Sequence, residues 1–174
     1  MFYFKSDNIF PVIMAKYLNL AGIISGSFGI FIGFYFLGSD SDNLLSAQYT
    51  VLLTVGIPGV LAFIRHVIFH KSDAERLGWQ TDRPDWMFEV GFANLAFGVM
   101  AFLSLLVQNG TAAHVVCIAG YAVYLLQAAI LHGYRYFTDK EKKPARLWRS
   151  TILTSLFAGM MFLLAALIFF TRRH

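Results

Sequence analysis

Three groups of polar side chains interrupt otherwise apolar stretches of the sequence, where they could support chemistry. They are Arg65, His66 and His70, then Glu89 and Asn94, then Gln127, His132 and Arg135. Ionisable groups are costly inside a bilayer and commonly mark functional positions. Most of these residues lie near one end of their stretch, and antiparallel helices would bring them to the same side of a membrane. We therefore expect several of them to converge.

One hypothesis is a metal or haem site. His66 and His70 are four residues apart, which places them on one helical face. Glu89 and His132 from neighbouring helices would complete a set of three imidazoles and one carboxylate, suited to zinc, iron or copper. Alternatively, His66 and His132 could bind haem as axial ligands. No metal-binding motif of specific spacing, such as HExxH, accompanies these residues.

The other hypothesis is a structural lock or a small-ligand pocket. Glu89 would be costly alone in lipid but stable beside Arg65 or Arg135, which can bind a carboxylate through two parallel hydrogen bonds. His66 or His132 would complete the network. Helix-end residues can also reach water, so this pattern favours pairing over catalysis. The predicted cluster comprises Arg65, His66, Glu89, Asn94, His132 and Arg135.

Five apolar stretches would position these side chains. Each is close to the roughly 20 helical residues that cross a hydrocarbon core. They run approximately over 17–37, 46–69, 87–107, 112–136 and 150–171. Hydrophobic residues make up 57% of the chain and charged residues 14%, and the mean hydropathy is +0.60. The sequence predicts an all-α, polytopic transmembrane bundle of five helices in a single domain, 1–174, with four spans plus an interfacial helix as the alternative.

Two prolines qualify this prediction. Pro11 and Lys16 suggest that residues 9–16 form an interfacial lead-in to the first helix. The first apolar run is also too long for a cleaved signal sequence, so we expect it to be retained. Pro58, beside Gly56 and Gly59, should kink or break the second helix.

The distribution of basic residues predicts the orientation. The net charge is +4, but the cations lie in short segments between apolar runs, which is not the pattern of a nucleic-acid-binding face. Lys71, Arg76 and Arg83 follow the second stretch, and a denser basic segment follows the fourth. The positive-inside rule then predicts a cytoplasmic N-terminus. Trp79, Trp86 and Trp148 would be interfacial anchors on that side, whereas the terminal Arg172, Arg173 and His174 disagree with this orientation.

Small residues predict close helix contacts. Gly22, Gly26, Gly29 and Gly33 share one face of the first helix. A second stripe comprises Gly91, Asn94, Gly98 and Ala101, and a shorter one Ser155 and Gly159. Such stripes allow backbones to approach, either within the bundle or in a homo-oligomer.

No complete catalytic template is present, so the sequence leaves open whether the protein is an enzyme. Cys117 is the single cysteine, which excludes an intramolecular disulfide. His114 is expected at the surface. The segment from Ser72 to Asp85, which includes Asp73, is expected to be a solvated connector of mixed charge. The alternatives are a binding or scaffold protein in the lipid bilayer, a membrane oxidoreductase using a metal, haem or quinone, and a small transporter or channel.

One region resembles a known family. Leu77-Gly78-Trp79, followed by the run Phe88-Glu89-Val90-Gly91-Phe92-Ala93-Asn94-Leu95-Ala96-Phe97-Gly98, is similar to a family of small, hydrophobic bacterial membrane proteins of unknown function. The family pattern is a Gly-Trp followed by Glu-Val-Gly-x-Ala-Asn-Leu-x-x-Gly entering a transmembrane helix, and Pro84-Asp85-Trp86 departs from its usual spacing. The resemblance implies a multi-pass protein of the bacterial inner membrane and supplies no activity.

Overall fold

The fold consists of long helices. The computed structural model describes residues 9–77, 83–107, 110–139, 144 and 146–171. We label the long helices α1 (Ile9–Tyr35), α2 (Leu44–Ile68), α4 (Asp85–Ser104), α5 (Thr111–Thr138) and α6 (Leu147–Phe170), and a short helix, α3, spans His70–Leu77. No strand occurs in this part of the chain. The predicted all-α bundle is confirmed.

All five long helices are long and apolar enough to cross a membrane. Their outward faces carry large apolar side chains such as Phe31, Leu103 and Phe170. The interior contains many small residues, such as Ala101 and Ala122, beside larger ones such as Ile118, Tyr121 and Met161. The small interior residues let the helices pack closely, and many large apolar side chains remain exposed to lipid. Multi-pass insertion follows from these faces.

Helix α1 begins earlier than the apolar pattern suggested. It is continuous from Ile9, so the segment predicted as an interfacial lead-in belongs to the same helix. Pro11 lies in the first turn, where the backbone N–H has no helical acceptor to lose. The predicted anchor Trp79, the cations Lys140, Lys142 and Lys143, and the terminal residues 172–174 lie outside the described residues.

Helix α2 accommodates Pro58 without breaking. A π-helical segment, Leu52–Gly56, directly precedes the α-helical turn that contains the proline, and a second, Ile64–Ile68, ends the helix. Proline cannot donate a backbone hydrogen bond to the carbonyl four residues earlier, here Thr54. A local change to wider turns is a common way to absorb such a loss. The helix stays long enough to span the membrane.

Glycines bring the backbones of α2 and α4 into contact. A Cβ atom on Gly59 would lie 2.6 Å from the Asn94 carbonyl oxygen and 3.0 Å from the Gly98 Cα. Gly91, about two turns nearer the start of α4 than Gly98, packs against the side chains of Val67 and His66. The stripe predicted on α4 is buried along its length and faces α2.

The glycine stripe on α1 has a mixed role. Gly29 and Gly33 face the α2 residues Leu53, Thr54 and Thr50, and Gly26 faces Phe157 of α6. A Cβ on Gly22 would meet no heavy atom within 4 Å. Most of the stripe therefore serves packing within the bundle.

Candidate functional site

The end of α2 changes direction immediately after its second π-helical segment. Phe69 has φ −103° and ψ 28°, which leaves the helical region, and α3 begins at the next residue. Ser72, Asp73 and Ala74 form the buried side of α3, whereas Lys71 and Glu75 are exposed. This bend turns the first two turns of α3 back toward the side chains at the end of α2.

A buried carboxylate lies at this bend. The Asp73 side chain is 0% exposed, and its Oδ2 lies 3.4 Å from Arg65 Nε and 2.8 Å from His66 Nδ1. These contacts are close enough for electrostatic pairing, although they are not aligned as hydrogen bonds. Burying a lone carboxylate would be far more costly than burying one that faces a guanidinium. Asp73 is therefore held by the residues that end α2.

Arg65 has two further polar partners. Its Nη2 lies 3.0 Å from His66 Nε2, and its Nη1 donates a hydrogen bond to the Asn19 side-chain oxygen on α1. Arginine can only donate hydrogen bonds, so His66 Nε2 must accept the one from Arg65. In a neutral imidazole ring the proton is then on Nδ1, which faces Asp73. One positive and one negative charge thus balance. We call Asn19, Arg65, His66 and Asp73 the bend cluster; it joins α1, α2 and α3.

A second polar group lies deeper in the bundle, between α4 and α5. The Asn94 Nδ2 donates to the Tyr124 hydroxyl and to the Val90 carbonyl, both at 2.8 Å, and the Tyr121 hydroxyl donates to Asn94 Oδ1 at 2.9 Å. Both protons and the oxygen of the amide are thereby bonded. Arg65 lies within electrostatic range of both tyrosine hydroxyls. We call Asn94, Tyr121 and Tyr124 the amide–tyrosine triad.

The other predicted site residues lie elsewhere. Glu89 is exposed on α4 and makes no hydrogen bond or ion pair within the described ranges. Arg135 Nη1 lies 3.6 Å from Asp139 Oδ1, one turn later on α5. His132 is partly buried on α5. The carboxylate beside Arg65 is thus Asp73, because the bend after α2 places it closer than any residue of α4.

The proposed metal ligands do not assemble in the described part of the chain. No three His, Cys, Asp or Glu side chains approach one another there as metal ligands would. Both ring nitrogens of His66 face protein partners, and His70 Nδ1 lies 3.0 Å from the Val67 carbonyl while its ring meets Phe88 edge-on. A set of His66, His70, Glu89 and His132 stays a prediction from the sequence.

Asp73 and Asn19 are the members of the bend cluster that sequence reasoning missed. Asp73 was assigned to the solvated connector, yet it is fully buried. Its burial depends on the bend at Phe69, for which the sequence carries no signal. Asn19 is an amide in an apolar stretch, the same signal that singled out Asn94, but the predicted cluster did not include it.

The opposite end of the bundle also differs from expectation. His114 is fully buried rather than at the surface, with Nδ1 2.9 Å from the Ser104 hydroxyl. Ser104 donates its own proton to the Ala101 carbonyl, so the His114 ring must donate to Ser104. Asn43 closes the same end through a hydrogen bond of 2.9 Å from its side-chain nitrogen to the Thr171 hydroxyl.

The helices are long and apolar enough to span a membrane, and the buried charges between them face one another. These features are those of a multi-pass helical membrane protein. Within that class the chain belongs to a family described as a family of unknown function, DUF6790, whose model matches residues 42–174. Membership of a family without assigned activity, as expected from the resemblance at residues 77–98, is confirmed. Neither a curated protein nor a solved structure matches the chain.

Proposed function

We propose that this protein is a binding or scaffold-type membrane protein whose bend cluster acts as a structural lock. The observation that carries the proposal is the fully buried Asp73 carboxylate beside Arg65 and His66. The contacts hold α3 against the end of α2, and Arg65 links both to Asn19 of α1. The Asp73 carboxylate lies within ion-pairing distance of Arg65 and His66, as a lock requires.

The localisation proposed with this function is a bacterial inner membrane, with the N-terminus and α3 on the cytoplasmic side. The support is the basic character of the two segments that follow α2 and α5, together with the family resemblance. A single transmembrane domain covering 1–174 is part of the same proposal.

The alternative functions have less support from the geometry. A metal or haem enzyme needs ligand nitrogens directed into a shared space, whereas the His66 ring faces Arg65 and Asp73. A transporter needs polar groups along a path, but the Thr50 and Thr54 hydroxyls donate to carbonyls of their own helix. The purified protein should accordingly show no Soret band and no stoichiometric metal. A Soret band that disappears in His66→Ala would reverse this ranking.

A charge-balance experiment tests the lock. Asp73→Asn would leave the Arg65 charge buried beside a neutral amide, so we expect a loss of about 3–5 kcal/mol in the free energy of unfolding. The double variant Arg65→Gln/Asp73→Asn removes both charges and should lose less. Glu75→Gln, two residues away on the exposed face of α3, is the matched control. Unfolding would be followed by circular dichroism in mixed detergent micelles.

The outcomes separate a lock from a ligand site. A lock requires that the single variant be less stable than the double variant and the control. Equal stability of Asp73→Asn and Glu75→Gln would show that the carboxylate does not hold the bend. In that case the small-ligand pocket would become the better proposal.

Homo-oligomerisation through glycine-rich faces stays a prediction. The inward glycines of α1 and α4 are already in contact with other helices, whereas Gly159 on α6 is exposed and has no heavy atom within 4 Å of an added Cβ. Gly159→Leu should therefore reduce any oligomer measured by light scattering in detergent, with Gly22→Leu as the comparison. An unchanged oligomer mass would show that the oligomer contact does not include Gly159 of α6.

A further inference from the structure

An exposed band of aromatic and basic side chains surrounds the end of α5 and the start of α6. Tyr134 and Phe137 are 63% and 68% exposed on α5, and Trp148 is 59% exposed on α6. Arg135, whose side chain is 56% exposed, and Arg149 lie among them. We call these five residues the α5–α6 band.

The members of the band share one level of the bundle. A Cβ on Gly133 would lie 3.2 Å from Thr151 Cγ2, so α5 and α6 are in direct contact at this point. The two helices run in opposite directions because a short segment joins them. Residues just after Gly133 therefore lie beside residues just before Thr151.

The charge of this region is strongly one-sided. Residues 135–149 contain six cations and two anions, a net charge of +4 that equals the net charge of the whole chain. The cations are Arg135, Lys140, Lys142, Lys143, Arg146 and Arg149, and the anions are Asp139 and Glu141. Asp139 partly neutralises Arg135 at 3.6 Å. Within the described residues, Arg149 donates no side-chain hydrogen bond and makes no ion pair.

We propose that the α5–α6 band selects anionic phospholipid headgroups at the membrane surface. Three rings exposed by more than half match the level where acyl chains meet headgroups, since Trp and Tyr combine an apolar body with a polar edge. Guanidinium groups at the same level match phosphate, because their planar donor pairs bind two of its oxygens. The rings lie at the ends of helices of spanning length, where lipid is already adjacent, so a membrane surface fits them better than an acidic soluble protein does.

Tryptophan quenching by brominated lipids tests this selection. Trp79→Phe/Trp86→Phe leaves Trp148 as the single tryptophan, and the protein would be reconstituted in vesicles containing equal amounts of phosphatidylglycerol and phosphatidylcholine. One preparation carries bromine on the phosphatidylglycerol and the other on the phosphatidylcholine. We expect quenching to indicate about a fivefold enrichment of phosphatidylglycerol around Trp148. One basic residue near an anionic surface contributes about 1 kcal/mol, which corresponds to that factor. High salt should reduce the enrichment.

Matched variants assign the effect to the band. Arg135→Gln/Arg149→Gln should abolish the enrichment, whereas Lys71→Gln, which removes an exposed cation on α3, should leave it unchanged. Equal quenching by the two lipids would overturn the proposal. Absence of quenching by either lipid would also overturn it, because a protein surface would then cover Trp148.

A second measurement covers failure of the tryptophan variant to fold. Native mass spectrometry of the unaltered chain in the same equimolar mixture should retain phosphatidylglycerol in preference to phosphatidylcholine. Equal retention would overturn the proposal without any substitution at a tryptophan.

Discussion

At the residue scale, two buried polar side chains face partners on other helices. Asp73 faces Arg65 and His66, and the Asn94 amide is bonded at both ends. In lipid, water cannot replace a missing partner within the hydrocarbon core, so a buried polar side chain is stable there only when the protein itself supplies the partner. The pairs therefore report which helices are neighbours.

The sequence identified part of this chemistry. Arg65, His66 and Asn94 stand out because a charged or amide side chain in an apolar stretch is rare. Asp73 did not, because it lies among other charged residues and its burial depends on the bend at Phe69. Tyr121 and Tyr124 resemble ordinary apolar residues until Asn94 is placed beside them. Pairing across helices is set by tertiary structure, which a one-dimensional pattern does not contain.

The amide–tyrosine triad gives a residue-scale prediction. Tyr121→Phe removes one hydroxyl, leaves the ring in place and deprives Asn94 Oδ1 of its donor. Hydrogen bonds between membrane helices contribute on average about 0.6 kcal/mol and at most about 1.7 kcal/mol, so we expect a loss in that range in the free energy of unfolding. Tyr134→Phe, at an exposed position on the same helix, should cause no loss. Unfolding in dodecyl sulfate titrations measures both, and equal stabilities would contradict the role assigned to the triad.

At the element scale, glycines determine where the helices approach one another most closely. Gly59 and Gly98 allow α2 and α4 to approach with backbone against backbone, whereas Gly29 and Gly33 leave room for the α2 side chains of Thr54 and Thr50. The spacing of these glycines predicted the contact faces but not their partners. The same spacing predicts both an intramolecular and an intermolecular contact, since either needs a flat helix face.

Gly59→Ala tests the close approach of α2 and α4. The added Cβ would lie 2.6–3.0 Å from three backbone atoms of α4, none of which can move without shifting the helix. We expect a loss of about 1–3 kcal/mol in the free energy of unfolding, typical of overpacking. Gly159→Ala meets no heavy atom within 4 Å and should gain up to about 1 kcal/mol from the higher helix propensity of alanine. The comparison fails if both substitutions shift stability in the same direction by the same amount.

At the scale of the whole molecule, composition determined the class of the protein because five apolar stretches of spanning length have few alternatives. The arrangement of the helices depended on features with weaker signals, such as the bend after α2 and the π-helical turns around Pro58. Orientation belongs to this scale as well, because it arises from the sum of charges in the connecting segments rather than from any one contact.

Cysteine labelling measures that orientation. In a Cys117→Ser background, Ser41→Cys lies in the exposed connection between α1 and α2, and Glu75→Cys lies on the exposed face of α3. These positions are at opposite ends of α2, so a membrane-impermeant maleimide added to intact bacterial cells should label only one of them. The positive charges that follow α2 and α5 favour retention of α3 in the cytoplasm, which predicts labelling at position 41 and protection at position 75 until the cells are lysed.

The reverse pattern would place the bend cluster and the α5–α6 band on the outer side. Labelling of both positions in intact cells would mean that α2 does not span the membrane, and the proposed helix topology would then be wrong.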